Sequence, residues 1–159
     1  MTPEQFVATY REYLPAISRY LGRRVDRDQV EDLAAMVFEV AWQKRDSVTL
    51  GQELPWLYKI AGFQVANFRR RQNSALKLLT LTLSPDNAPS AESLAVFDAD
   101  LAAGWAKLTP SDRALIALVA FDSLGVSEAA QALGISANAA SAKLHRARAK
   151  LAKYLAVKD

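Results

Sequence analysis

At 159 residues, 51% of them hydrophobic, the chain has the size and composition of one ordinary globular domain or two small ones. It has no cysteine and a single histidine, which excludes a disulfide framework and a thiolate metal site and argues against a histidine cluster or a triad hydrolase. The net charge of +3 is too mild to name a partner, but it is unevenly spread: residues 1–72 carry 11 basic and 9 acidic side chains (+2), residues 73–104 carry 1 and 4 (−3), and residues 105–159 carry 8 and 4 (+4).

The opening MTPEQFVATYREYL has early acids and no unbroken apolar run, unlike a signal peptide, and no segment has the length and apolarity of a membrane span. A cytoplasmic protein without membrane insertion is expected. Phe6, Tyr10, Tyr13, Leu14, Ile17 and Leu21 recur at three- and four-residue spacing, which predicts a helix from about Pro3 to Leu21, kinked or broken at Pro15. Asp28, with Glu31 three residues on, is the expected capping box of a second helix, Gln29 to Lys44. Its apolar stripe is Val30, Leu33, Ala34, Val37, Phe38, Ala41 and Trp42. Arg45 to Glu53 reads as a loop. A third helix then starts with Pro55 in its first turn, places Trp56, Leu57, Ile60, Ala61 and Val65 inside, and ends in Arg69, Arg70 and Arg71. Its aromatic residues and terminal arginines suit single-stranded bases and phosphates, although Trp42, Trp56 and Tyr58 are assigned to packing.

From residue 73 to about 99 the periodicity is lost, and Ser84, Pro85, Asp86, Asn87, Ala88, Pro89 and Ser90 have the composition of a tether. Helix resumes at about Leu94 or Phe97 and runs to Lys107, with Leu101 and Trp105 inward. Thr109 or Ser111 with Pro110 opens the next, whose Leu115, Ile116, Leu118, Val119 and Phe121 are strongly apolar. Ser127 is the expected N-cap of a short Ala-rich helix, Gly134 its positive-φ terminator, and Ser136 the cap of a final helix. Helix, glycine turn and helix is the outline of a helix-turn-helix. In the final helix Ala140, Leu144, Ala147 and Leu151 form the buried ridge. Lys143, His145, Arg146, Arg148, Lys150 and Lys153, with no acid among them, form a face suited to duplex DNA. The plainer reading is an amphipathic helix with a solvated cationic face.

The combination resembles the small two-domain sigma factors of bacterial RNA polymerase, the extracytoplasmic function group. The resemblance is carried by VEDLAAMVFEVAW at Val30 to Trp42, by WLYKIA at Trp56 to Ala61 with the arginines that follow, and by Leu108 to Leu151, most specifically LHRAR at Leu144 to Arg148. It implies an all-α protein of two small helical domains, residues 1–72 and 99–159, joined by a flexible acidic linker, residues 73–98, with the helix-turn-helix in the second domain.

By the same resemblance, Glu31, Asp32, Leu33, Met36, Phe38 and Trp42 meet the polymerase clamp, and Leu115, Leu118 and Phe121 its flap. Ser47, Val48, Lys59, Phe63, Asn67, Arg70 and Arg71 capture the melted minus-ten strand. Ser136, Asn138, Ser141, Ala142, Lys143, His145, Arg146 and Arg148 face the minus-35 duplex. The implied partners are core RNA polymerase, promoter DNA and an anti-sigma protein; no metal, cofactor or catalytic residue is implied. The chain departs from the family pattern at Ala35 and Met36, where Gln-Glu or Gln-Asp is usual, at Gly62 and Phe63, where Arg-Asn is common, and at Ala139 to Lys143, where Thr-Val-Lys-Ser-Arg is usual. The alternative is a stand-alone dimeric helix-turn-helix repressor, which predicts a homodimer on a palindromic site.

Overall fold

The computed structural model describes residues 1–73, 88–91 and 99–155, and every regular element among them is helical. The chain divides into two compact units, Met1–Pro85 and Asp86–Asp159.

In the first unit, α1 (Pro3–Gly22) opens with a capping box. The Thr2 hydroxyl oxygen accepts from the Gln5 N–H at 3.1 Å, and the Gln5 side chain accepts from the Thr2 N–H at 2.8 Å. Of the kink or break expected at Pro15, the break does not occur: α1 is one helix through it. Proline removes one donor, and the carbonyl thereby orphaned is that of Arg11. Arg11 and Pro15 are both exposed, so water can serve that carbonyl, while buried Ile17, Tyr20 and Leu21 hold the second half of the helix on the core.

The capping box expected at Asp28 and Glu31 does not form. Arg27–Gln29 make a single 3-10 turn, and Gln29 occupies the N-cap of α2 (Val30–Gln43) without a side-chain cap. Asp28 is taken up inside that turn, and Glu31 and Asp32 place negative charge in the first turn of the helix, where its dipole favours it. A second 3-10 turn, Arg45–Ser47, and the positive-φ Gly51 lead to α3 (Glu53–Gln72).

The core joins Ile17, Tyr20 and Leu21 of α1 to Leu33, Ala34, Val37, Phe38 and Ala41 of α2 and to Leu57, Tyr58, Ile60, Ala61 and Val65 of α3. At one edge the buried Arg24 lies 3.6 Å over the Tyr20 ring and donates to the Tyr20 carbonyl. Arg69 in turn donates to the Arg24 carbonyl at 2.9 Å, so the first arginine of the terminal run ties α3 to the end of α1. Trp42 does not pack as its stripe predicts: it is 39% exposed, set edge-on to Phe6 and covered on one face by the Arg45 guanidinium 3.8 Å away. Trp56 is only half-buried. Both lie at the margin of the stripe, where a large ring reaches the surface.

The second unit contains residues 88–91, which composition assigns to the tether. Ala88 and Pro89 are buried, and the Pro89 carbonyl accepts from the Trp105 indole N–H at 2.7 Å. The rest of the tether, its apolar start from Leu76 to Leu81, and the expected helix start at Leu94 or Phe97 lie outside the described residues. α4 (Ala99–Ala106) buries Trp105 completely. α5 (Pro110–Ile116) is capped by Thr109, whose hydroxyl oxygen accepts from the Asp112 N–H at 3.1 Å. The single apolar helix expected here changes to a π-helical turn over Ala117–Phe121.

After it come α6 (Val126–Leu133) and α7 (Ala137–Leu155). α4 packs closely on α7 because residue 104 is glycine: a Cβ there would stand 3.1 Å from both Leu151 Cδ2 and Tyr154 Cβ.

Candidate nucleic-acid interface

Helices α6 and α7 form the helix-turn-helix, and the turn is built by its backbone. Gly134 has φ of +71°, its N–H donates to the Gln131 carbonyl at 3.2 Å, and the Ile135 N–H returns to the Ala130 carbonyl at 3.0 Å. Ser136 caps α7 as expected, accepting from the Ala139 N–H at 3.1 Å. Ser127 does not cap α6. Gly125 is the N-cap, and Glu128 reaches back to accept from its N–H at 3.4 Å, which leaves Ser127 within the first turn. A side chain at position 134 would be strained whatever room surrounds it, since left-handed backbone costs an L-residue about 1–2 kcal/mol. Gly134→Ala should therefore lower the stability of the second unit by roughly 1 kcal/mol, measured by urea denaturation.

The inward ridge of α7 is Ala140, Leu144, Ala147 and Leu151, all buried. Asn138, Ser141, Ala142, His145, Arg146 and Arg148 are exposed, and so are Lys150 and Lys153. Lys143 is half-buried and donates to the hydroxyl oxygen of Ser111 on α5. No acid occurs from residue 137 to 155. The face is thus wholly cationic or neutral, on a helix about 28 Å long at 1.5 Å per residue.

In the first unit, α3 presents a second such surface. Lys59, Phe63, Asn67 and Arg70 follow one another at steps of four, four and three, which is one side of a helix. All four are exposed, Phe63 by 56% of its surface. Arg70 donates to the Asn67 side-chain oxygen at 3.0 Å, so its guanidinium is held along the stripe. Arg71, also exposed, lies beside it. The Ser47 hydroxyl donates to the Lys44 carbonyl at 2.7 Å, and Val48 is half-buried.

The residues expected to meet polymerase divide by burial. Glu31 and Asp32 are exposed, as is part of Trp42, and Met36 is half-buried. Glu31 also lines a groove of about 600 Å³ between α1 and α2, with Tyr10, Leu14, Val30, Ala34 and Ala35. Leu33 and Phe38, by contrast, are core residues of the first unit, and Leu115 and Leu118 are core residues of the second. They belong to the apolar side on which each helix packs, where they hold the exposed side in place. Phe121 is half-buried and stacks obliquely on Trp105, ring centroids 5.8 Å apart. Sequence reasoning missed Ser111, whose hydroxyl it weighed only as a helix cap, and Arg45, whose cover of Trp42 has no signal beyond three-residue spacing.

Among the described residues there is no group of His, Asp or Glu arranged to hold a metal, and no helix long and apolar enough to cross a membrane.

Residues 105–151 match the family model described as Sigma-70, region 4. The match lies within the second unit and leaves the first unit uncovered. Two solved structures share the fold of the chain over almost its whole length. CnrH, solved in complex with the cytosolic domain of CnrY, is 23% identical, with a TM-score of 0.66 over 99% of this chain and 92% of its own. The sigma factor RpoE, solved with the anti-sigma factor NepR from Bartonella quintana, is 21% identical, with a TM-score of 0.67 over 98% of this chain and 99% of its own. No curated protein sequence matches the chain. The segment that matches the family model includes the whole helix-turn-helix and most of the basic face of α7. The polar stripe of α3 lies outside the matched segment.

Proposed function

We propose that this chain is a sigma factor, which binds core RNA polymerase in the cytoplasm and directs it to promoters through two DNA contacts, one made by each unit. The exposed stripe Lys59, Phe63, Asn67, Arg70 and Arg71, with the loop at Ser47 and Val48, holds the unpaired minus-ten strand. The outward face of α7, from Ser136 and Asn138 through Ser141, Ala142, Lys143, His145, Arg146 and Arg148, meets the minus-35 duplex. Glu31, Asp32, Met36 and Trp42 contribute to the clamp contact, and Phe121 to that with the flap. Residues 1–72 act as one functional domain and residues 99–159, with residues 88–91 packed against them, as the other. The protein supplies no catalytic group; its effect is placement.

The observation that carries this reading is the presence in one chain of two cationic helical surfaces of different kind. One is an acid-free helix after a glycine turn, and the other is a basic stripe with an exposed phenyl ring in its middle. Each alone grips few phosphates and loses affinity steeply with salt. Held together by polymerase they act as one attachment of high effective concentration. Because CnrH and RpoE are each solved with a protein partner, we include an anti-sigma protein among the partners of this chain.

Run-off transcription with core polymerase on genomic fragments tests the reading. Discrete transcripts dependent on this protein are expected. A chain that yields none, and instead runs as a homodimer with a palindromic site of its own, is a repressor and the reading fails.

A further inference from the structure

Lys143 is distinguished from the other cations of α7 by its partner. Its ammonium donates to the hydroxyl oxygen of Ser111, which belongs to a different helix and is itself exposed. A lysine with one N–H committed keeps two more, and a serine hydroxyl that accepts a proton still has its own O–H to give. Three donors from two helices therefore remain at one place on the surface, beside a helix that carries no acid.

The position of Lys143 around α7 says what those donors face. At 3.6 residues per turn, and measured from the centre of the buried ridge Ala140, Leu144, Ala147 and Leu151, Asn138 and His145 lie roughly 130–150° round, near the middle of the outward face, whereas Lys143 lies roughly 70° round on one flank and Ser141 and Arg148 roughly 70–90° round on the other. Lys143 shares its side with Arg146 and Lys150, three and seven residues on. A helix about 10–12 Å across fills a major groove about 12 Å wide. The middle of its outward face then looks at base edges, and its flanks look at the sugar-phosphate walls. Lys143 is on a flank, and Ser111 adds to that flank from α5.

We propose that Ser111 and Lys143 form a two-helix clasp for one backbone phosphate of the duplex, and that Lys143 reads no base. Discrimination of sequence then falls to Asn138 and His145, nearest the middle of the outward face. The inference rests on the reading that α7 enters duplex DNA. It assigns a contact outside the helix-turn-helix.

The test is anisotropy of labelled duplexes with the full chain, repeated on its complex with core polymerase, using a promoter selected by that complex and a scrambled control. Lys143→Met keeps helix propensity and the aliphatic stem; it should weaken binding to both duplexes by the same factor, about 3- to 10-fold, and reduce the slope of log affinity against log salt by about 1. Ser111→Ala should weaken both about 2- to 3-fold, and the double variant should fall short of the product of the two losses, because the residues act on one phosphate. Circular dichroism melts confirm that each variant is folded. Wild-type affinity in Ser111→Ala, fully independent losses, or a changed order of sequence preference in Lys143→Met overturns the clasp. A wild-type chain that holds neither duplex, alone or on polymerase, overturns the parent reading instead.

Discussion

Trp105→Ala is expected to unfold the second unit while leaving the first intact. The indole is completely buried, stacks on Phe121, and donates to the Pro89 carbonyl. Its removal forfeits the transfer energy of the largest side chain in the unit and leaves a cavity, about 3–5 kcal/mol in comparable cores. It also strands a buried carbonyl, which adds about 1–3 kcal/mol. A unit of this length has a total stability of about 4–11 kcal/mol at the usual value per residue, so the loss is comparable with the whole. Hydrogen exchange read by mass spectrometry should show protection lost across α4 to α7 and kept in α1 to α3.

Trp105→Phe separates the two contributions, because it fills most of the space but cannot donate. It should lower stability by about 1–3 kcal/mol through the orphaned carbonyl. If Trp105→Ala melts like wild type, the indole is not the centre of this core. If Trp105→Phe does, the bond that fastens residues 88–91 to α4 contributes nothing.

That fastening also shows where the sequence was legible and where it was not. Helical periodicity located α1, α2 and α3, since an apolar side every three or four residues leaves little choice of element. Gly134 and Ser136 were legible for a stricter reason: a positive-φ turn and an N-cap each demand one of very few residue types. Asp28 and Ser127 satisfied the same composition rules and failed, because a cap depends on where the first helical hydrogen bond falls: Gln29, one residue later, and Gly125, two residues earlier, took those places. Trp42, Leu33 and Phe38 expose a different limit. All three lie on one apolar stripe, yet only the fold decides which members face the core and which reach the surface.

Ala88 and Pro89 sit in a Pro-, Ser- and Asp-rich stretch that has every compositional mark of a tether. Trp105, sixteen residues away, donates to the Pro89 carbonyl and so ties that stretch to the core. The polar stripe of α3 was readable as spacing. The bond from Lys143 to Ser111 spans 32 residues and leaves no trace in local pattern.

Phe63→Ala should cost the protein most of its ability to hold a melted strand without affecting its hold on upstream duplex. An exposed phenyl ring is an unfavourable use of surface unless something flat covers it, and Phe63 stands between Lys59 and Asn67 on a stripe continued by the fixed guanidinium of Arg70. Stacking of one base on an aromatic side chain is worth about 1–3 kcal/mol, so affinity for a template with a pre-melted minus-ten region should fall about 5- to 150-fold. Arg70→Ala should weaken the same template through charge, with a shallower salt dependence, whereas Phe63→Ala should leave the salt slope unchanged.

Phe63→Trp keeps a ring of greater area and should restore binding, which a purely structural role for an exposed residue would not require. Core polymerase carrying each variant, assayed for permanganate-reactive thymines on duplex promoters and for affinity on the pre-melted template, distinguishes the cases. Equal loss on duplex and pre-melted templates places Phe63 at the bases after melting, and loss on duplex alone places it in the opening step. Unchanged opening and binding in both Phe63→Ala and Arg70→Ala would mean that α3 does not touch the strand at all.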